Sequence, residues 1–236
     1  MIVYGICAGP GGKVDRIVRP SIEASDPDAV VLVREGQRSI FAAYESIRQE
    51  AAQIDGLDGL VLLHDDVELR ASIVDPLRAC FTDSTVGLVG AIGGRGQDFE
   101  WWGTPDRYGY AADLDRVSDY GGGTHDVDGV DGLLLALSPW AVRHLRIDGR
   151  VYPPFHGYDA CISEQVRRAG KRVLVTDLPL MHHSETSVNT DWAAFEQARY
   201  AHYLRWRAAG PLRRAKWHRY RLQLRAKSLL GRAADR

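Results

Sequence analysis

Short runs of apolar, largely β-branched residues alternate along the first half of the chain with longer segments of helical period. Four such runs predict strands, at residues 2–7, 29–33, 60–63 and 86–92. Between the second and third, residues 39–53 repeat apolar side chains at helical spacing, which predicts a helix that Ser39 caps. Because strands that alternate with helices form a mostly parallel sheet covered by helices, this pattern predicts an α/β protein.

The pattern changes after residue 92. Residues 93–123 are rich in glycine, aspartate and aromatic side chains, which predicts a long loop or a small irregular insertion. Regular structure then resumes, with strands predicted at residues 130–137 and 171–176, a helix that starts at Ser138 and Pro139, and another over residues 158–169. Two further helices are predicted after residue 190.

Composition limits the class of protein. The chain has 236 residues, 45% of them hydrophobic and 26% charged, which is enough to bury one sizeable core or two small ones. The 3 cysteines are scattered, so we expect neither a disulfide framework nor a cysteine zinc site. Because the chain shows no secretory leader and no long apolar run, we expect a cytoplasmic protein that does not cross a membrane.

The net charge of −1 is a cancellation between two parts of the chain. Residues 199–236 carry +11 and residues 1–198 carry −12. The balance excludes a wholly basic nucleic-acid binder. The basic, aromatic tail predicts one of two arrangements. It attaches peripherally to the anionic inner face of a membrane, or it forms a helix that packs on the acidic body, and the sequence leaves both open.

The segment LVLLHDDVEL at residues 60–69 places His64, Asp65 and Asp66 directly after a buried strand. Burying a carboxylate without a partner is costly. A carboxylate pair at the end of a strand can hold Mg²⁺ or Mn²⁺, which in turn grips a diphosphate. The alternative is an aspartate that caps the next turn.

Three other segments carry candidate chemistry. Residues 9–13, GPGGK, depart from the known phosphate-loop patterns and predict a βα turn that borders a ligand. Asp159 precedes a helix, either as its N-cap or as a general base. His182 and His183 follow a strand, and because adjacent side chains point in different directions, at most one of them can bind the same metal as Asp66.

Five motifs occur in a distinctive order: HDDVEL, a tryptophan-containing loop, VDGVDGLLLAL, FHGYDACISEQVRRAGKRVLV and LPLMHHSETS. Together they resemble the inverting glycosyltransferases of family 2, specifically their short bacterial glycosyltransferase-like branch. The resemblance implies a GT-A (Rossmann-like) fold with one central, mostly parallel mixed sheet flanked by helices. It makes residues 1–190 the glycosyltransferase domain, with 1–92 as the nucleotide-sugar half and 93–190 as the acceptor half. We expect residues 191–236 to form a basic, aromatic helical extension.

The resemblance also implies roles for individual residues. Asp159 corresponds to the catalytic base, although Tyr158 stands where the family more often has a glutamate. Asp66 and His183 correspond to the metal ligands, with His182 as the second choice. The remaining assignments are nucleotide-sugar contacts at Asp65, Glu35, Ser39, Asp131 and Gly132, and acceptor stacking at Trp101 and Trp102, whose alternative is packing within the loop.

The implied activity is metal-dependent, inverting transfer of a sugar from a nucleoside-diphosphate sugar, with a UDP-sugar favoured. The expected acceptor is a hydroxyl of a carbohydrate, a lipid-linked molecule or a small molecule, and the expected cofactor is Mn²⁺ or Mg²⁺. A sugar-1-phosphate nucleotidyltransferase is the enzymatic alternative, but ICAGPGGKVD lacks the glycine-rich, arginine-containing signature of that class. The non-enzymatic alternative is a carbohydrate-binding protein that has the same fold but no catalytic activity.

Overall fold

The computed structural model describes residues 1–96, 104–184 and 191–207. Trp101, Trp102 and the tail beyond residue 207 lie outside the described residues. The strands are β1 Ile2–Ala8, β2 Val30–Glu35, β3 Gly59–Leu63, β4 Val67–Leu69, β5 Val86–Gly90, β6 Ile92–Gly94, β7 Arg107–Asp113, β8 Val117–Asp119, β9 His125–Val127, β10 Gly129–Val130, β11 Leu134–Leu137, β12 Arg172–Val175 and β13 Leu180–His182. The α-helices are α1 Arg19–Ser25, α2 Ile40–Ala51, α3 Val74–Phe81, α4 Pro139–His144, α5 Tyr158–Arg168 and α6 Trp192–His202.

The main sheet has 7 strands in the order β2-β1-β3-β11-β5-β12-β9. Strands β2, β1, β3, β5 and β12 share one direction, whereas β11 and β9 oppose it. This mostly parallel mixed sheet with helices confirms the predicted fold class.

Helices cover both faces of the main sheet, as the continuous apolar strands require. In β3, Leu60 and Leu62 face a core that includes residues of α2, α4 and α5, whereas Val61 and Leu63 face a second core that includes residues of α1 and α3. All four side chains are 0% exposed. Because β3 is held on both faces, the turn that follows it has a fixed position.

A second sheet contains β10-β6-β7-β13-β4, with β8 paired to β7. The expectation of a long loop or a small irregular insertion was therefore wrong for the described residues 93–96 and 104–123, whose strands join this second sheet. Glycines in this sheet serve close backbone approach: a Cβ on Gly109, whose φ is 92°, would lie 2.1 Å from the carbonyl oxygen of Ala91. A composition that reads as loop thus forms paired strands, and the chain passes from one sheet to the other at Ala91.

The strand predicted over residues 130–137 is interrupted. β10 ends at Val130 in the second sheet, and β11 starts at Leu134 in the main sheet. At the corner, the Asp131 carboxylate accepts a hydrogen bond from the Leu133 N–H at 2.9 Å. This corner places Asp131 and Gly132 between the two sheets.

The helix caps agree with the sequence in part. The Ser138 hydroxyl accepts a hydrogen bond from the Ala141 N–H at 3.3 Å, and Pro139 opens α4, as predicted. Ser39 occupies the N-cap position of α2, but its hydroxyl donates to the carbonyl oxygen of Pro154 at 3.1 Å instead of capping the helix.

The start of the basic tail packs on the body. After α6, a π-helical segment spans Tyr203–Arg207, and the indole N–H of Trp206 donates to the Tyr152 hydroxyl at 3.0 Å. The same hydroxyl lies 3.1 Å from Nδ1 of His202, and burial lowers the pKa of His202 to about 3. The first part of the tail, residues 199–207, therefore packs on the body. The predicted attachment of the tail to a membrane can be asked only of residues beyond 207, which lie outside the described part of the chain. No described helix has the length and apolar character needed to span a membrane.

Candidate active site

A cleft of about 950 Å³ opens at the carboxyl ends of β1, β2 and β3. Parallel strands bring the loops that follow them to the same edge of the sheet, where α/β proteins bind ligands. The cleft is lined by residues 7–15, 35–37 and 64–66 from that edge, by Asp131 and Gly132 from the corner, by residues 155–159 before and in α5, and by Ile40, Tyr44 and Phe195.

The two aspartates after β3 hold the loop after β1. Asp65 accepts a hydrogen bond from the Gly9 N–H at 2.6 Å, and Lys13 Nζ lies 2.8 Å from Oδ2 of Asp66. Oδ1 of Asp66 lies 3.1 Å from Nε2 of His182. Burial opposes the charged form of Asp66, which is 8% exposed, but its hydrogen bonds with His182 and Lys13 outweigh burial and hold its pKa well below the usual range. Asp66 is therefore a carboxylate at neutral pH.

Together with Asp66, the imidazoles of His64 and His182 form a group of side chains that could bind a metal ion. Nδ1 of His64 lies 3.5 Å from Nε2 of His182, and one ligand atom each of His64, Asp66 and His182 lies within 4.8 Å of the others. Ligands about 2.1 Å from a shared ion have separations of this size. A set of one carboxylate and two imidazoles suits Mn²⁺ better than Mg²⁺, which prefers oxygen ligands.

Asp113 fixes the orientation of the His182 ring. Its Nδ1 lies 2.8 Å from Oδ1 of Asp113, which fixes the ring with Nε2 toward Asp66. Burial lowers the pKa of His182, but the hydrogen bonds to Asp66 and Asp113 outweigh burial and raise it to about 8. Burial and the neighbouring His182 lower the pKa of His64. A metal ion at this group would therefore displace a proton from His182.

The two adjacent histidines contact different carboxylates. Nε2 of His183 lies 2.6 Å from Oε2 of Glu68, and the His183 backbone N–H donates to the carbonyl oxygen of Asp66 at 2.8 Å. His182 is the last residue of β13, and the next side chain points elsewhere. His182, not His183, is thus the histidine beside the Asp66 carboxylate.

Asp159 lies in the first turn of α5 and lines the same cleft. The N-cap is Gly157, whose φ of 78° lies in the left-handed region that favours glycine. Backbone N–H groups of Ala160 and Gly132 donate to the Asp159 carboxylate. Burial and the nearby Asp131 carboxylate outweigh these bonds and raise the pKa of Asp159 to about 7. A carboxylate with this pKa can accept a proton near neutral pH.

Tyr158 links this helix to the histidine group. Its hydroxyl hydrogen-bonds Nε2 of His64, and the side chain is 7% exposed. Tyr158 thus holds His64 in place. Of the other expected residues, Glu35 is exposed at the cleft and Asp131 and Gly132 line it, whereas Ser39 is not among the lining residues.

Sequence reasoning assigned no site role to His64, Lys13, Tyr158 or Asp113. His64 adjoins the aspartate pair, and Lys13 ends the glycine-rich turn, so both had a local signal. Asp113 had none, because its contact depends on the parallel pairing of β7 with β13.

We expect Gly132→Ala to damage the site through Tyr158. A Cβ at Gly132 would lie 2.3 Å from the Tyr158 hydroxyl oxygen and 2.6 Å from its Cζ, and a rigid ring cannot relieve that overlap. The variant should lose about 1–3 kcal/mol of unfolding free energy, in the range of overpacked cores. Denaturant unfolding measures this, with Gly122→Ala, at an exposed glycine, as the matched control. Equal stability of the two variants would contradict the contact.

The chain is similar to known proteins in sequence. Residues 27–205 match a family described as glycosyltransferase-like. The streptomycin biosynthesis protein StrF of Streptomyces griseus is 38% identical over 189 residues, which are 78% of this chain and 67% of StrF.

Solved structures share the fold at low identity. GalNAc-T7, solved with UDP, GalNAc and Mn²⁺, superposes with a TM-score of 0.61 at 12% identity, over 87% of this chain and 48% of its own. The mannosyltransferase PcManGT of Pyrobaculum calidifontis, in complex with GDP-Man and Mn²⁺, gives 0.56 at 13% identity, over 92% of this chain and 68% of its own. The protein A197 from STIV gives 0.51 at 10% identity, over 80% of this chain and 97% of its own.

Proposed function

The chain belongs to the glycosyltransferase-like family, and from that premise we propose that it inverts the anomeric carbon of the sugar it transfers, with help from a divalent cation. Its fold is the GT-A fold, and its activity class is glycosyltransferase. The donor is a nucleoside-diphosphate sugar, and the acceptor supplies a hydroxyl group. Family membership favours this activity over a nucleotidyltransferase or a non-catalytic binding protein.

One observation carries the proposal. His64 and Asp66, which form a group with His182, line the same cleft as Asp159, whose pKa is about 7. Sugar transfer needs both functions: positive charge at the departing diphosphate and a base at the attacking hydroxyl. The fold brings them into one cleft from segments that are distant in sequence.

Asp66 and His182 are the residues that would hold the cation, with His64 beside them and Asp113 orienting His182. When bound, a divalent cation supplies the positive charge that offsets negative charge on the departing diphosphate. We favour Mn²⁺ over Mg²⁺ because of the imidazole nitrogens. His183 is not part of this assignment.

Asp159 accepts the proton of the acceptor hydroxyl as it attacks the face of the sugar opposite the diphosphate. A single displacement of this kind inverts the anomeric centre. Donor contacts are assigned to Asp65 at the ribose, Glu35 at the nucleoside and the Asp131–Gly132 corner at the sugar. Stacking of Trp101 and Trp102 on the acceptor stays a prediction.

The similar proteins suggest which donor and acceptor classes to test. GalNAc-T7 was solved with UDP and PcManGT with GDP-Man, so the preference for a UDP-sugar is a prediction to be tested against GDP-sugars. StrF takes part in streptomycin biosynthesis, which favours a small molecule among the candidate acceptors. Peripheral placement at the inner face of the membrane through residues 208–236 also stays a prediction.

A thermal-shift screen tests the proposed function. UDP-, GDP- and dTDP-sugars are added with and without Mn²⁺, because a ligand that binds the native state raises the melting temperature. We expect one donor class to raise it, and to do so more with Mn²⁺, and we expect that donor to be consumed when acceptors are supplied. Release of pyrophosphate from a nucleoside triphosphate would support the nucleotidyltransferase instead. No shift with any sugar nucleotide would contradict the proposal.

A further inference from the structure

Lys13 is the cation that the described structure places in the cleft. Among the described residues that line it, Lys13 is the single lysine or arginine. The carboxylates that line the same cleft are Asp15, Glu35, Asp65, Asp66, Asp131 and Asp159. A cleft so rich in negative charge repels a diphosphate unless positive charge is brought to it.

The Lys13 ammonium occupies one oxygen of Asp66. Its Nζ lies 2.8 Å from Oδ2, while the other oxygen faces His182 at 3.1 Å. A divalent cation coordinated by Asp66 would stand close to the ammonium group, and like charges at such a distance repel. Lys13 and a cation therefore compete for Asp66.

The Lys13 side chain can change partner without repacking the core. Gly11 and Gly12, which precede it, have φ values of 104° and 66°, and no heavy atom lies within 4 Å of the position of a Cβ on either, so the space around this turn is open. The Lys13 side chain is 40% exposed, whereas that of Asp66 is 11% exposed. Ion pairs with an exposed partner are weak, and the lysine stem is flexible. The Lys13 side chain can therefore leave Asp66 when a cation replaces its positive charge there.

This inference rests on the proposed function. We propose that Lys13 is a diphosphate-binding residue that the donor-free protein holds on Asp66, and that it transfers to the donor diphosphate when a cation takes its place. Lysine binds phosphate oxygens as a point charge, and a hydrogen bond to an ionised group is about twice as strong as a neutral one. The glycine-rich turn after β1 thereby couples cation binding to donor binding.

The test measures two affinities of the full chain by isothermal titration calorimetry: Mn²⁺ alone, and UDP, GDP or dTDP in the presence of Mn²⁺. In Lys13→Met we expect tighter binding of Mn²⁺, because its competitor is gone. We expect UDP, GDP or dTDP to bind about tenfold more weakly, as for the loss of one charge-assisted hydrogen bond. Lys13→Arg, which keeps the charge, should restore most of the nucleotide affinity.

Lys171→Met is the matched control, because Lys171 bonds the carbonyl oxygen of Ser84 and does not line the cleft. Tighter binding of Mn²⁺ together with weaker binding of the nucleotide would identify the proposed role, because a merely structural role of Lys13 would weaken both affinities. Weakening of both, or no change in either, overturns the role of Lys13. If the unaltered protein binds none of UDP, GDP and dTDP, the proposed function fails, and this result differs from a failure of the Lys13 variant alone.

Discussion

Asp66→Asn should abolish cation-dependent nucleotide binding and slow sugar transfer by about a thousandfold or more. The physical reason is that a bound cation stabilises transition-state charge by several kcal/mol, and about 4 kcal/mol corresponds to about a thousandfold in rate. The neutral amide removes the charged ligand while keeping the shape of the side chain. It also removes the interactions with His182 and Lys13 that set the electrostatics of the group. Calorimetry with Mn²⁺ and initial rates of donor consumption measure both effects.

Asp28→Asn is the matched control for this change, because Asp28 is exposed and does not line the cleft. Circular dichroism and thermal unfolding should show that both variants stay folded. A fully active Asp66→Asn protein with normal Mn²⁺ dependence would contradict the assignment of Asp66. Loss of activity together with loss of the folded state would call for the more conservative Asp66→Glu before any conclusion.

Asp159→Asn should lower the transfer rate by about a hundredfold to ten-thousandfold, the range of general-base catalysis, and leave donor affinity unchanged. The pH profile gives the sharper test. Asp159 accepts a proton only as a carboxylate, and its pKa is raised to about 7. At saturating cation and donor, the rate of the unaltered protein should therefore fall about tenfold per pH unit as pH drops below about 7, and level off above it.

The Asp159→Asn protein should lack this acid limb. Asp131→Asn provides a companion measurement, because the Asp131 carboxylate raises the pKa of Asp159. Removing that charge should shift the limb of the pH profile to lower pH. An unchanged limb in Asp159→Asn would assign the titration to another group and remove Asp159 as the base.

The fold was predictable because local patterns and tertiary packing agree. Strand β3 is apolar on both faces and is buried on both faces, so a continuous apolar run was a reliable signal. The second sheet was missed because its glycines, such as Gly93 and Gly109, permit close backbone contacts that no periodicity reveals. Composition alone could not separate that use of glycine from a flexible loop.

The candidate site was predictable where its residues are neighbours in sequence. Asp65 and Asp66 follow a strand directly, and the structure places both in the cleft. The choice between His182 and His183 depended on which residue ends β13 and which side chain faces Asp66, and the sequence does not contain that register. Asp113 reaches His182 only through strand pairing. Long-range contacts of this kind account for most of what sequence reasoning missed.

The central claim is that the cleft transfers a sugar by a single, cation-assisted displacement. Nuclear magnetic resonance tests it most directly. The first product is formed with Mn²⁺ from the donor that the thermal-shift screen selects, and a chelator removes the paramagnetic Mn²⁺ before the spectrum is recorded. The account predicts a product whose anomeric configuration is opposite to that of the donor, and no product when the cation is chelated. Retention of configuration, or transfer at an equal rate without a divalent cation, would contradict it.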